Sequence, residues 1–376
     1  MHSKFNRLAL AAIAFISALW LHPQPARAIP IFAQRYHLAC ETCHSVLPEL
    51  NAFGLYFREH GYQLPAQRHG TTVVALRYQL EWEKDPVNSR RFTQGGVVLA
   101  NADIGKISAF VHYNLGAQGG PSGLFLGYLA TYNAHTKSLY RGGLFELPLL
   151  QSPGQRLDDL QEYGYYGAHV GLNDLPLSSP RWGLQAERSI GNARIDLVVD
   201  DGEFKGAAYG GAPSPTGETS FAAQPETALF ARISASDTLV AGVSGIAGTR
   251  RIVLTGKSGF NDAYTRAGAF FEFSPGKFQL TGEQWWGSDD NADGFGTSAA
   301  SSGGYLRAKY YPGPHGYLAV RYDAAATPFV TRDIVYYGAL MLTPHARLVV
   351  QDVQTIGGSS ALGAAVTVGF PWPSKL

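Results

Sequence analysis

Across residues 70–376 apolar side chains recur at every second position, in runs of about ten separated by turn residues, and no other pattern restricts the fold as much. Val74, Leu76, Tyr78, Leu80 and Trp82 share one face of such a run, with Ala75, Arg77, Gln79 and Glu81 on the other. Ile107, Ala109, Val111, Tyr113 and Leu115 alternate with Ser108, His112 and Asn114; Leu318, Val320 and Tyr322 alternate with Tyr317, Ala319, Arg321 and Asp323. A period of two is the period of a strand, whose successive side chains point to opposite faces. One face is apolar with aromatics near its ends, and the other is polar and charged. Lipid outside and water or protein inside impose that division, so the runs predict an all-β chain, a transmembrane antiparallel β-barrel. A large soluble β-sandwich or propeller is the competing architecture.

The connections constrain the strand count. Barrels of this kind alternate tight turns on the periplasmic side with longer loops outside. Tight turns are expected at Asn101-Ala102-Asp103, Asn133-Ala134-His135, Gly191-Asn192-Ala193, Ser234 to Asp237, Ser274-Pro275-Gly276, Pro312-Gly313-Pro314 and Thr343-Pro344-His345. Long loops are expected at Glu83 to Arg90, Ala117 to Gly123, from Phe145 onward, Gly202 to Glu226, Gly287 to Ser302 and Ala324 to Arg332. With every run counted as a strand the alternation fails in two places. Assigning Tyr163 to Leu172 and Arg251 to Thr255 to long loops restores it, leaving about sixteen strands and both chain ends on the periplasmic side. In the final run Leu362, Ala364, Val366, Val368 and Phe370 share a face, and the closing aromatic suits an outer-membrane strand.

The chain before residue 70 is different. Lys4 and Arg7 precede an uncharged apolar run from Leu8 to Leu21, then Pro23, Pro25 and the small-residue site Ala26-Arg27-Ala28. That layout predicts a secretory signal peptide over residues 1–28. A single membrane anchor is the alternative, and the run is short for one.

Residues 29–69 carry Cys40-Glu41-Thr42-Cys43-His44, a C-x-x-C-H sequence holding the only two cysteines of the 376-residue chain. This is the attachment sequence of haem c. Two thiols at that spacing reach the two vinyl groups on one porphyrin edge, and the following histidine is placed to bind the iron. A structural zinc site would need two further ligands, and a thioredoxin-like dithiol would need a βαβ setting. After the motif, Pro48 and Glu49 suit a first helical turn and Gly61 a helix stop; Leu50, Phe53 and Phe57 would share a face able to cover a porphyrin. The sixth iron position is open. Met341 is far off in sequence, and His37, His60 and His69 are the local candidates, with a vacant or water-bound iron as the alternative. About forty residues is near the lower limit for an independent core, so this segment is expected to fold against the barrel.

These residues resemble a known family. Ile29-Pro30-Ile31-Phe32-Ala33-Gln34-Arg35-Tyr36, then Cys40, Cys43 and His44, then Pro48, Leu50, Asn51, Phe53, Gly54, Phe57, Gly61 and Tyr62, followed by a barrel, are similar to the fused cytochrome–porins of the outer membrane, whose best-known members are iron oxidases. The likeness is specific over residues 29–64 and architectural beyond them. It implies one covalent haem c in a small N-terminal plug, held by Cys40 and Cys43 with His44 on the iron, inside a sixteen-stranded barrel. It also implies electron uptake from extracellular Fe(II) and delivery to a periplasmic cytochrome or other carrier. The same layout would serve electron export to an external acceptor.

A second function class is a diffusion porin whose haem plug is structural or sensing, with Arg77, Arg321 and Arg347 in the lumen selecting solutes. A haem peroxidase would need a distal acid–base pair that the sequence does not single out. Acidic groups at Asp158-Asp159, Asp200-Asp201 with Glu203, and Asp289-Asp290 with Asp293 read either as surface attraction for Fe(II) or as solvated loop charge. A net charge of +1 gives no nucleic-acid footprint.

Overall fold

The period-two runs fold as antiparallel strands that close on themselves. The computed structural model describes residues 30–36, 38, 42–46, 49–64, 73–84, 91–117, 122–151, 158–173, 176–201, 218–222, 226–254, 258–327, 330–343 and 345–372. The N-terminal part contributes α1 (Pro30–Tyr36), the two short strands β1 (His44–Val46) and β2 (Glu49–Leu50), and α2 (Ala52–Glu59). The wall begins with β3 (Val73–Lys84), β4 (Arg91–Ile104), β5 (Ile107–Ala117), β6 (Gly123–Asn133), β7 (Ser138–Phe145), β8 (Arg181–Ile190) and β9 (Ala193–Asp200). After β10 (Glu218–Ala222) it continues with β11 (Glu226–Ser236), β12 (Leu239–Leu254), β13 (Phe260–Phe273), β14 (Phe278–Asp289) and β15 (Ala299–Gly313). It ends with β16 (Gly316–Ala326), β17 (Val330–Thr343), β18 (Ala346–Thr355) and β19 (Ser360–Trp372).

The ring closes where β19 meets β3, with Trp372 opposite Val74 and Leu362 opposite Lys84. β9 pairs directly with β11, so β10 stands outside the ring and pairs only with the far end of β12. The barrel therefore has sixteen strands, β3–β9 and β11–β19, as the alternation of turns predicts. Closure matters in a bilayer, because a strand edge facing lipid would leave backbone groups unpaired.

Side-chain alternation follows the pleat. Ile107, Val111, Tyr113 and Leu115 of β5 face outward and are exposed, whereas Ser108, Phe110 and His112 are buried inside. On β16 Val320 and Tyr322 are exposed while Tyr317, Arg321 and Asp323 are buried. An apolar outer face over a charged interior is the arrangement of a membrane-spanning barrel, with the lipid bilayer as its solvent.

Three boundaries differ from the sequence expectations. The β4–β5 turn lies at Gly105-Lys106 rather than Asn101-Ala102-Asp103, with Gly105 at φ +64°. Asn101 is instead held in the strand, its amide donating to Ser108 Oγ at 3.0 Å and the Ala109 carbonyl at 2.8 Å. Arg251 to Leu254 are strand rather than loop, because the β12–β13 hairpin continues past its neighbours and pairs with β10. Finally, α2 starts later than Pro48: Leu50 belongs to β2, opposite His44, and Asn51 caps the helix. Tyr163 to Leu172 do lie within a long connection, between β7 and β8, that folds into the lumen. The signal-peptide expectation lies outside the described residues.

Candidate functional site

The N-terminal segment rests on the inner wall at the end that bears the tight turns. Its core is aromatic. Phe32 stacks on Tyr62 with ring centroids 4.5 Å apart and meets Phe57 edge-on at 5.2 Å; Tyr62 stacks in turn on Phe110 of β5 at 6.1 Å. Ile31, Tyr36 and Phe57 are buried, and the Tyr36 hydroxyl donates to the Tyr62 carbonyl at 2.9 Å. Two ionic clips flank this core. Arg35 pairs with Asp103 and donates to Asn101 on β4. Glu59, at the end of α2, accepts from Arg194 of β9 at 2.5 Å and from Arg232 of β11. Burial pushes the Glu59 carboxyl up, but Arg232 and Arg194 outweigh it and hold it below the usual range.

Cys43 is tied to the start of α2. The Asn51 N–H donates to the Cys43 carbonyl at 3.0 Å, while the Asn51 side chain accepts from the Gly54 N–H at 2.9 Å. A Cβ at Gly54 would sit 2.0 Å from the Cys43 oxygen, so only glycine permits this contact. The Cys43 thiol is free and half-buried, and burial pushes its pKa up. His44 follows directly and opens β1. A thiol followed directly by an imidazole fits part of the donor set that a covalent haem takes; the second thiol, Cys40, lies outside the described residues. Among the described residues no three His, Cys, Asp or Glu side chains gather into a metal site.

Cys40, His37 and His69 lie outside the described residues. His60 is placed at the end of α2, its ring 3.7 Å from that of Tyr56 and 3.9 Å from that of Tyr132 on β6. Its Nδ1 lies 2.6 Å from the Tyr56 carbonyl. Burial lowers its pKa, against the opposing pull of that carbonyl and Glu59, which favours a neutral imidazole.

The lumen also holds the chain between β7 and β8. Asp158 is its anchor: its Oδ2 accepts from Arg307 at 3.0 Å, Lys309 at 2.5 Å and the Tyr337 hydroxyl at 3.0 Å, and its carbonyl accepts from Tyr317 at 2.6 Å. Asp159 pairs with Arg321 at 2.5 Å, and Arg321 also meets Asp323. Burial pushes the Asp158 carboxyl up, but Lys309 and Arg307 together pull it well below the usual carboxylate range. Asp158, Asp159, Asp200 and Asp289 are thus not surface traps for cations. Asp158 and Asp159 are fully buried inside the barrel, Asp200 lies 3.9 Å from Arg181, and Asp289 pairs with Arg266 at 2.8 Å. Asp290 is exposed, and Asp293 has a local role, accepting from the Phe295 and Thr297 amides of its own turn. Arg321 likewise is a partner of buried carboxylates rather than a charge open to solutes.

Between the N-terminal segment and this inward loop lies a cavity of about 140 Å³, lined by Leu50, Leu55 and Arg58 on one side and by Tyr128, Arg141 and Leu147 on the other.

No family model matches this chain, and no curated protein is similar to it in sequence. Its fold has many likenesses. OmpT of Vibrio cholerae, an outer membrane protein solved as a loop L8 deletion mutant, superposes with a TM-score of 0.57 at 12% identity, over 80% of this chain and 99% of that one. The outer membrane channel DcaP of Acinetobacter baumannii gives 0.54 at 11% identity, over 80% and 96% of the two chains. An anion-selective porin from Comamonas acidovorans gives 0.53 at 11% identity, over 80% and 99%. The barrel is a porin-type barrel.

Proposed function

We propose that this chain is an outer-membrane barrel closed by a haem c plug, and that it passes electrons across the membrane from extracellular Fe(II) to a periplasmic carrier. The observation that carries the reading is the place of Cys43 and His44, from the C-x-x-C-H sequence, in a segment packed inside the barrel. Cys43 is held against α2 by Asn51 and Gly54, and α2 is clipped to the inner wall through Glu59. When bound, the haem supplies one-electron redox chemistry. The chain's own residues do the rest. Cys40 and Cys43 hold the group, His44 supplies an iron ligand, and the aromatic side chains of α1 and α2 shield it from water. Arg35 and Glu59 fix the plug at the tight-turn end, which is the periplasmic end in outer-membrane barrels. No acid–base pair is required.

The porin-type fold favours a second reading, an outer-membrane channel whose plug is structural or sensing. Two measurements on the full chain separate the readings. Haem staining after denaturing electrophoresis tests covalent attachment, and planar-bilayer conductance tests for an open pore. The conduit reading expects a stained band and little conductance. An unstained band with large conductance would replace it with the channel.

A further inference from the structure

The cavity between the N-terminal segment and the inward loop has two unmet polar groups side by side on its wall. Arg141 of β7 and Gln185 of β8 both line it, and the strand register sets them directly opposite each other. Side chains in that relation have Cβ atoms about 4.5–5.5 Å apart. The Arg141 guanidinium lies over the Tyr128 ring, 4.7 Å from its centroid, and 5.7 Å from that of Phe145. The rings hold the group, but among the described residues no oxygen accepts a hydrogen bond from it, and its Nε is buried without a partner. Glu187, the next inward residue of β8, is taken by Arg194 at 3.0 Å. Glu146 and Glu272, which also line the cavity, have partners of their own. Gln185 is 3% exposed; its Nε2 donates to Asp196 at 2.7 Å, and its Oε1 is buried with no donor.

A buried polar group without a partner is costly, and here a donor and an acceptor are left over next to each other. A guanidinium fork matches the paired oxygens of a carboxylate, whereas an amide oxygen takes an O–H or N–H. One small molecule meets both: a carboxylate with a hydroxyl or amino group on the neighbouring carbon. An ionised haem propionate only accepts, and would leave the Gln185 oxygen unmet. The cavity, at about 140 Å³, has room for roughly ten waters and so for an acid of a few carbons. We infer that this cavity is a binding site for a small hydroxy- or aminocarboxylate, with Arg141 holding the carboxylate and Gln185 accepting from the neighbouring donor. Stacking on Tyr128 fixes the plane of the fork before the ligand arrives.

The test is calorimetric titration of the full-length protein with glycolate and with acetate, which lacks only the hydroxyl. Wild type, Arg141→Gln and Arg141→Lys are compared, with heat-modifiable gel migration confirming that each barrel is folded. Glycolate should bind wild type more tightly than acetate does. Arg141→Gln should weaken glycolate binding about ten-fold or more, and Arg141→Lys, a point charge without the fork, should fall between the two. No glycolate binding to wild type, or a folded Arg141→Gln that binds as wild type does, overturns the site. Equal affinity for acetate and glycolate removes Gln185 and overturns the assignment to a hydroxy acid. Haem stain on the same samples reports on the cytochrome reading separately: unstained protein that binds glycolate refutes that reading and leaves the site standing.

Discussion

Gly54→Ala isolates the contact between α2 and the Cys43 carbonyl. In a helix interior this exchange ordinarily stabilises by about 1 kcal/mol. Here the added Cβ would lie 2.0 Å from the Cys43 oxygen, 2.9 Å from its carbonyl carbon and 2.9 Å from Leu50 Cδ2. Carbon contacts are favourable only near 3.5–4.0 Å, so the turn and α2 must part by more than about 1 Å. The obstacle is backbone, which cannot rotate away. Overpacking of this kind costs about 1–3 kcal/mol, and losing the hydrogen bond from the Asn51 N–H to the Cys43 carbonyl adds about 1 kcal/mol. The exchange should therefore destabilise the segment by about 1–3 kcal/mol after the helix-propensity gain, while the barrel stays folded. The assay is hydrogen exchange at the α2 amides together with haem stain per folded barrel. Gly245→Ala is the control, since a Cβ there has nothing within 4 Å. Faster exchange in Gly54→Ala but not in Gly245→Ala is expected; equal or slower exchange in Gly54→Ala would refute the reasoning.

The remaining predictions address the clips and the cofactor. Glu59→Gln removes the carboxylate shared by Arg194 and Arg232 and should expose the N-terminal segment to limited proteolysis, at a cost of up to about 3–5 kcal/mol for a broken buried pair. The Glu59 pKa is depressed, so its contribution is full above the ordinary glutamate range and is lost as pH falls through the folded value; protease protection should fall on acidification in wild type and stay flat in the variant. Asp158→Asn leaves Arg307 and Lys309 without their carboxylate and should release the loop between β7 and β8, read as a rise in bilayer conductance. The double change Cys40→Ala, Cys43→Ala should abolish haem stain on a denaturing gel; retained stain would end the covalent-attachment proposal.

The wall was legible because its physics is local. Lipid on one face and polar filling on the other force a period of two, so Ile107 to Leu115 and Leu318 to Tyr322 announce their outward face in the sequence. Alternation of turn lengths then gives sixteen strands. The interior was much less legible. Asn101-Ala102-Asp103 has the chemistry of a turn, yet Asn101 bridges across the hairpin and Asp103 receives Arg35, partners the local sequence does not reveal. Asp158 reads as loop charge because its cation Arg307 is 149 residues away. The α1 helix, only seven residues long, is below the length at which periodicity or propensity speaks, and tertiary packing of Ile31 and Phe32 makes it. In the N-terminal segment the motif singles out Cys43 and His44, and Gly54 stood in the pattern of the resembled family without a reason. Its reason is the approach of the Cys43 carbonyl.

The central claim is that electrons cross this barrel while ions do not. The most direct measurement places the haem-loaded protein in sealed vesicles enclosing a redox dye, adds Fe(II) outside at near-neutral pH, and follows the haem band, the dye and ion leakage together. The account predicts reduction of the haem and then of the enclosed dye, with leakage no greater than that of empty vesicles. Free ion leakage with an unchanged haem band and an oxidised dye would contradict it.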